Sequence, residues 1–457
     1  MVRFTPENKE QLRDAINVMN KRTGIHTEHG HINDWDVSRV TDMSDIFSGL
    51  AGFDQPLDRW DVSRVTDMSR MFEACLAFNQ PLDRWDVSRV TDMSWMFYYC
   101  RAFNQPLDRW NVSHVTDMSR MFSYCRAFNQ PLDNWNVSHV TDMSRMFQYC
   151  RAFNQPLNKW NVSNVTDMHE MFSECFTFNT TLNNWNVGNV TNMGGMFALC
   201  EAFNQPLNKW NVSNVTDMGS MFVGCFAFNQ PLNKWNVSNV TNMMEMFDEC
   251  SSFNQPLNKW NVSNVTNMSY MFSRCDDFNQ PLNHWNVSNV TNVELMFREC
   301  HAFHQVLPWK LHVDVETRNM FFGSHGSLLE RRSSGTIRRR NGELAHSIIK
   351  RSNHPNMMRF DDDHMSPIEA DAPDYIERLM ANVRKKSPEL LVTTTTRRKR
   401  KRSRSQSESD APDYTRRLMA DVRKKSPELL VTTTTRRKRS RSRSRSQSES
   451  RKRSDRK

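Results

Sequence analysis

The chain has 457 residues and a net charge of +10, but the charge is divided: residues 1–322 hold 25 basic against 34 acidic side chains, and residues 323–457 hold 36 against 17. The first region is therefore acidic, at −9, and the second strongly basic, at +19, the asymmetry of a folded module carrying an interaction tail. No run of eighteen apolar residues and no apolar leader of signal-peptide type is present, which sets aside a membrane-spanning helix and leaves a soluble, intracellular protein as the expectation.

Residues 1–24 read as an N-terminal cap. Thr5 followed by Pro6 has the form of an N-cap and first-turn pair, and Leu12, Ala15, Ile16 and Met19 then share one helical face. Such a helix would cover the exposed apolar end of a stacked array.

From Trp35 to Trp285, eleven tryptophans recur at 25-residue intervals inside near-copies of one unit, as in FNQPLDRWDVSRVT beginning at Phe78. A strict period of this length marks a stack in which each unit is completed only by its neighbours, so residues 25–300 are read as a solenoid of eleven repeats. The fixed apolar positions, in one example Leu82, Trp85, Val87, Val90, Met93, Met96, Phe97, Cys100 and Phe103, are separated mostly by three. That is neither strand alternation nor a long amphipathic helix. The reading is a short parallel strand around Leu82, Trp85 and Val87, opened by Pro81, followed by a short helical turn over residues 93–97. Eleven coils at about 4.8 Å each would make a rod on the order of 50 Å long.

All ten cysteines occupy one repeat position, from Cys75 to Cys300. Disulfide frameworks use irregular spacings and zinc sites use closely paired ligands, so a column of buried, reduced thiols is expected, with no metal or cofactor. The frequent Asn-x-Ser/Thr triplets are a by-product of the repeat.

Residues 301–322 form a degenerate C-terminal cap, in which Trp309 comes one residue early while Met320 and Phe321 keep the register. Residues 323–370, which include Arg338, Arg339 and Arg340 and the acidic Asp361, Asp362 and Asp363, read as a linker. Residues 371–457 contain a duplicated segment beginning at Asp371 and again at Asp410, each copy offering a possible short helix (375–385, 414–424), a Thr run and an Arg/Ser tract. This composition buries too little apolar area to offset chain entropy, and a disordered tail is expected.

The units, WDVSRVTDMSRMF with a following FNQPL, closely resemble the 25-residue repeats of the BspA-type leucine-rich-repeat-like proteins, a family of unknown function found in bacterial surface proteins, protists and large DNA viruses. The resemblance spans about residues 31–300. It implies a right-handed, leucine-rich-repeat-like solenoid and, for surface-located members, binding or adhesion. It supplies no catalytic residues to carry over.

Two surfaces stand out for function. In the third to fifth units Tyr99, Tyr124 and Tyr149 share one position, with Trp95 and Tyr98 beside the first. Arg101, Arg126 and Arg151 lie two residues further on, and Arg120 and Arg145 precede the Met-Phe pairs. Tyr and Arg dominate interface hot spots, so this is a candidate partner patch, although recent duplication of units would also make neighbours alike. A basic stripe before the tryptophans, including Arg59, Arg84, Arg109, Lys159, Lys209, Lys234 and Lys259, reads as a solvated ladder of ion pairs with nearby Asp58, Asp61, Asp83 and Asp86.

In the tail, Arg397, Arg398, Lys399, Arg400, Lys401 and Arg402, and again Arg436, Arg437, Lys438 and Arg439, are compact basic runs of the kind that serve as nuclear localisation signals or nucleic-acid contacts. Phosphorylation of the adjoining Arg/Ser tracts could reverse their charge. No nucleophile elbow, phosphate-binding loop or zinc-protease motif is present. The sequence therefore reads as a monomeric, non-enzymatic protein-interaction scaffold of nuclear location, with no membrane association. The alternatives are a nucleic-acid-associated factor acting through its tail and a surface adhesin.

Overall fold

The computed structural model describes residues 3–21, 29–331 and 337–340. Helix α1 (Lys9–Lys21) buries Leu12, Ala15, Ile16 and Met19, the face expected of the cap. Its capping residue is Asn8 and not Thr5: the Gln11 N–H donates to Asn8 Oδ1 at 3.0 Å, while the Thr5 hydroxyl turns back to the Arg3 carbonyl at 3.4 Å. Gln11 Oε1 in turn accepts from the Glu7 N–H at 2.9 Å, so the helix entry satisfies its exposed donors locally.

The coils beyond α1 are chains of four-residue turns joined corner to corner. In one coil the closing bonds run from the N–H of Trp85 to the carbonyl of Leu82 (3.1 Å), Val90 to Val87 (3.0 Å), Met96 to Met93 (3.2 Å), Cys100 to Phe97 (2.9 Å) and Phe103 to Cys100 (3.1 Å). The apolar residues stand at the turn corners and point inward. The apolar spacing of three is thus the spacing of turn corners, and the strand around Leu82 and the helical turn at residues 93–97 are both replaced by turns. Along the array the strand-like pairing reduces to a column of single-residue parallel bridges, from Asp42 and Asp67 through Asn292 to Glu316.

Neighbouring coils are tied by backbone bonds of two polarities. Met93, Trp95, Phe97 and Tyr99 donate forward to the carbonyls of Asp117, Ser119, Met121 and Ser123 at 2.9–3.1 Å. Thr91 donates backward to the Thr66 carbonyl at 2.9 Å, and its hydroxyl donates to the same oxygen at 3.2 Å. For alternate N–H groups to aim forward, the third residue of two turns in this half-coil adopts a left-handed conformation, with φ of 60° at Trp95 and 63° at Tyr99.

Every core position stacks on its own copy. Phe97 and Phe122 lie 5.6 Å apart and nearly parallel, and Trp110 and Trp135 lie 6.4 Å apart at 3°. The recurring buried indoles and thiols are served by the preceding coil: the Trp85 indole N–H donates to the Leu57 carbonyl at 2.9 Å, and the Cys100 thiol donates to the Phe72 carbonyl at 3.0 Å. Asn ladders join the outer corners, the Asn104 N–H meeting Asn79 Oδ1 at 2.9 Å.

At the far end a small sheet closes the stack, made of β1 (Val306–Leu307), β2 (Ser327–Arg331) and β3 (Ile337–Arg340), with β1 and β2 parallel and β2 and β3 antiparallel. The early Trp309 keeps its place, stacking 6.0 Å from Trp285 and donating to the Leu282 carbonyl at 3.0 Å. The cap boundary expected at Phe322 moves outward, because β2 and β3 fall within the stretch read as linker. Gly326 permits this crossing, since a Cβ there would lie 2.6 Å from Phe303 Cδ1. Residues 22–28, the remainder of the linker and the tail at 371–457 lie outside the described residues.

The ten cysteines are free and buried, and burial pushes their thiols well above the ordinary range. The folded protein should release less than about one equivalent of chromophore from a thiol-reactive disulfide reagent, and ten after denaturation in guanidinium. Rapid modification of several thiols without denaturant would show that the cysteine column is open to solvent.

Candidate partner-binding site

The turn that closes each coil projects two left-handed residues and, just beyond, an exposed corner. The first left-handed column runs Arg70, Trp95, Arg120, Arg145, Glu170 and the second runs Ala74, Tyr99, Tyr124, Tyr149, Glu174. Because coils superpose, each side chain rests on its equivalent one turn away. The Arg70 and Arg120 guanidiniums sandwich the Trp95 ring at 4.7 and 4.4 Å. Arg145 then leaves this aromatic pattern and pairs with Glu170 at 3.0 Å, and Gln148 donates to the same carboxylate at 2.6 Å.

In the second column Tyr99 and Tyr124 stack with centroids 4.3 Å apart, and Tyr124 and Tyr149 at 4.1 Å. Tyr98 fits between columns, edge-on to Tyr124 at 5.7 Å and tilted against Trp95 at 4.7 Å. The sequence patch is thus one contiguous cluster, but its members divide. Tyr98, Tyr124 and Arg145 are buried (4%, 9% and 8% exposed) and are corrected from contact residues to packing residues. Trp95, Tyr99, Arg120 and Tyr149 are half-buried, and Arg101, Arg126 and Arg151 are exposed.

Those three arginines line the outer edge of the tyrosine stack. Arg101 lies over Tyr99 at 4.9 Å, and Arg151 lies 6.0 Å from Tyr149 and 5.0 Å from Phe176. Burial, followed by the positive charges of Arg151 and Arg101, lowers the pKa of Arg126. The row ends against Glu174, whose carboxylate is 3.7 Å from Arg151. Burial raises the Glu174 carboxyl to about 7, even though the Tyr149 hydroxyl, Arg151 and Arg126 all favour its charged form.

The basic stripe is ion-paired in part, but to aspartates one coil back: Arg59 to Asp34 and Lys159 to Asp133, both at 2.8 Å. A second acidic centre is one that sequence reasoning missed. Asp248 is half-buried and raised to about 7 by desolvation and then by Glu249 and Glu245, against a hydrogen bond from Ser273. One of its carboxyl oxygens finds no hydrogen-bond partner among the described residues. Its signal is a carboxylate in a column that also holds Glu73 but elsewhere residues such as Ser173, Ala198 and Val223. Among the described residues no group of three or more His, Cys, Asp or Glu is placed to hold a metal ion, and no helix is long and apolar enough to cross a membrane. The basic runs Arg397 to Arg402 and Arg436 to Arg439 lie outside the described residues.

The family model described as "Mycoplasma protein of unknown function, DUF285" matches the chain four times in overlap, at residues 15–135, 116–235, 155–257 and 221–328. None of the curated proteins matches. A solved structure titled "Crystal structure of TLR13-ssRNA13 complex" aligns over 69% of this chain and 52% of that one, with 10% identity and a TM-score of 0.19, a likeness too slight to bear on fold or function.

Packing and exposed members of the cluster should separate on substitution. Tyr124→Ala should cost about 3 kcal/mol in urea unfolding, and Arg126→Gln no more than about 0.5 kcal/mol. Equal losses would mean the tyrosine stack does not hold the coils.

The two raised carboxyls also set a direction with pH. Each binds its proton more tightly folded than unfolded, so its contribution is full below the ordinary carboxylate range and is lost as pH rises through about 7. Combining Glu174→Gln with Asp248→Asn should flatten the fall in urea midpoint between mildly acidic and mildly alkaline pH. An undiminished fall would assign it to other groups.

Proposed function

Because the chain belongs to the family described as Mycoplasma protein of unknown function, DUF285, whose matches cover its whole repeat array, we propose that it is a non-catalytic scaffold binding other proteins through side chains on its coils. The observation that carries this reading is the row of Arg101, Arg126 and Arg151: exposed, on adjacent coils, and carrying three positive charges against one carboxylate. Surface-exposed arginine beside half-buried aromatic rings is the composition of interface hot spots. A rigid array adds to this by presenting such residues with little ordering cost on binding.

The basic tail gives the scaffold its place in this reading, as a nuclear-targeting or tethering segment of an intracellular, monomeric protein. A second reading, a nucleic-acid-associated factor, is favoured by the repeated basic runs beside the Arg/Ser tracts, since phosphate contacts require clustered Lys and Arg. The adhesin role implied by the BspA-type resemblance is a third outcome.

Affinity capture with the full chain, a chain ending at Arg340 and the isolated segment 341–457 separates these readings. The cut belongs at Arg340, because ending at Phe322 would remove β2 and β3. The scaffold reading expects the full chain and the Arg340-terminated chain to hold the same proteins after nuclease treatment. Partners held only by the tail and released by nuclease would overturn it. Identical cellular distributions of the full and shortened chains would remove nuclear targeting, and recovery at the cell surface would favour adhesion.

A further inference from the structure

We propose that Arg101, Arg126 and Arg151 form a carboxylate-binding row whose occupant is an acidic, extended segment of a partner protein. This rests on the scaffold reading and names the chemistry of its partner.

Geometry supports the row first. The three guanidiniums sit at one repeat position on consecutive coils, so they are spaced by the coil repeat and span about 10 Å. That is the length of an extended tripeptide to tetrapeptide, and side chains on one face of such a segment recur about every 7 Å. Two acidic side chains fall within the row. The row is also bounded, since the equivalent positions before and after it are Leu76, Phe176 and Glu201.

Preorganisation is the second support. Two of the guanidiniums are parked on aromatic rings, Arg101 on Tyr99 at 4.9 Å and Arg151 on Phe176 at 5.0 Å. Part of the rotamer freedom that a long side chain loses on binding is already lost. The planar forks remain available for paired bonds to carboxylate oxygens, which a point-like ammonium cannot match.

Thirdly, the molecule places a carboxylate of its own on the row. Glu174 approaches Arg151 at 3.7 Å at the point where the tyrosine column ends. It shows the kind of group the row accepts, and it satisfies only one end. Arg126 also lies within the field of Glu174, whereas Arg101, at the far end of the row, forms no ion pair among the described residues.

A single-stranded nucleic acid fits less well. Binding of that kind stacks bases on open aromatic faces. Here the faces are consumed, Tyr99 on Tyr124 at 4.3 Å and Tyr124 on Tyr149 at 4.1 Å, with Arg101 over the Tyr99 ring at 4.9 Å. Residues 1–322 are moreover net acidic, so a long polyanion is repelled where a short acidic segment meets only the local field.

Glu174 makes the row responsive to pH. The groups facing it are the Tyr149 hydroxyl, Arg151, Arg126 and Glu170, and it is half-ionised at about 7. Above that pH its carboxylate competes for Arg151. Below it the competitor is neutral, while an acidic peptide, with carboxyls near their ordinary range, stays charged.

The test uses the full-length protein with hexaglutamate carrying a photoreactive benzophenone, and maps the crosslinks by mass spectrometry. The expected result is crosslinks in the coils holding Arg101, Arg126 and Arg151. They should fall at least about ten-fold in R101Q/R126Q/R151Q while crosslinks to residues 341–457, an internal control for the basic tail, are unchanged. Melting within a few degrees of the parent confirms that the variant is folded. The coil crosslinks should also strengthen between about pH 8 and pH 6, and E174Q should give the stronger signal at about pH 8 and a flatter dependence on pH. Coil crosslinks that persist in the triple variant, or that are confined to the tail in the parent, would overturn the row. An oligothymidylate probe that crosslinks to the same coils, with the same arginine dependence, would overturn the acidic-protein assignment. Capture of proteins by the Arg340-terminated chain is read separately, so the row can fail while the scaffold reading stands.

Discussion

The structure depends on one alternation of backbone hydrogen bonds. In the half-coil from Met93 to Cys100, every second N–H closes a turn within the coil and every other N–H crosses to the next coil. A single coil can make only the first set, and its remaining donors and acceptors would be left in a crowded, apolar setting at a cost of about 1–3 kcal/mol each. The unit is therefore incomplete by construction. The alternation also imposes left-handed backbone at two positions per coil, and twenty of the twenty-five described residues with positive φ are not glycine. Left-handed backbone costs a side-chain-bearing residue roughly 1–2 kcal/mol. The crossing hydrogen bond and the contact with the neighbouring copy offset that cost, so the strain is tolerable only within the stack.

Column identity follows from the same constraint. Since each residue meets its own equivalent one coil away, a position that suits one coil must suit both neighbours, and this holds for surface columns as well as for the core. The tyrosines at 99, 124 and 149 stack as the phenylalanines do. Where a column changes residue type, a local solution appears: Trp95 between two arginines, Arg145 against Glu170, and Glu170 leaning over Gly195, whose Cβ would lie 2.7 Å from Glu170 Cγ. Variation between repeats is therefore not the same as freedom from structural duty. The corner outside the second left-handed residue, the position of Arg101, carries three like charges side by side, as does the stripe of Arg59, Arg84 and Arg109 before the tryptophans.

Much of this was legible in the sequence. The tryptophan period identified a stack, and the nine fixed apolar positions are the buried ones. Their spacing of three was harder to interpret, because neither strand nor helix has that period, and turn corners do only when turns follow one another without interruption. Nothing in the side chains announced it. Left-handed positions ordinarily advertise themselves as Gly or Asn, but here most of them hold residues such as Trp, Tyr, Arg and Glu. The crossing hydrogen bonds involve the backbone and leave no residue signature. The Arg/Tyr cluster was found because its residues recur at fixed offsets, but recurrence alone could not say that Tyr124 is buried between its own copies. β2 was missed because Ser327, Leu328 and Leu329 belong to no repeat, and a pattern built on period loses its evidence where the period stops.

The ends show why the array is finite and where its function can reside. The carbonyls of Asp67, Ser69, Met71 and Glu73 accept from the coil before them. Those of Asp42, Ser44, Ile46 and Ser48 have no earlier coil, and α1 meets this end instead. Lys9 is 3.2 Å from the Asp42 carboxylate and also bonded to Ser44, and Arg13 donates to the Asp45 carbonyl at 3.2 Å. At the other end β1 pairs with β2, and the stack passes into an ordinary sheet. The first end is covered by α1 through side-chain bonds, the other end continues its backbone pairing into β2, and the core columns fill the interior. What is left for recognition is the outer corners of the internal coils, where the backbone is already satisfied on both sides and a side chain can change without opening the stack. Arg101, Arg126 and Arg151 occupy such corners. The regular repeat fixes their spacing, and the break in the neighbouring column, from Tyr149 to Glu174, fixes where the row stops.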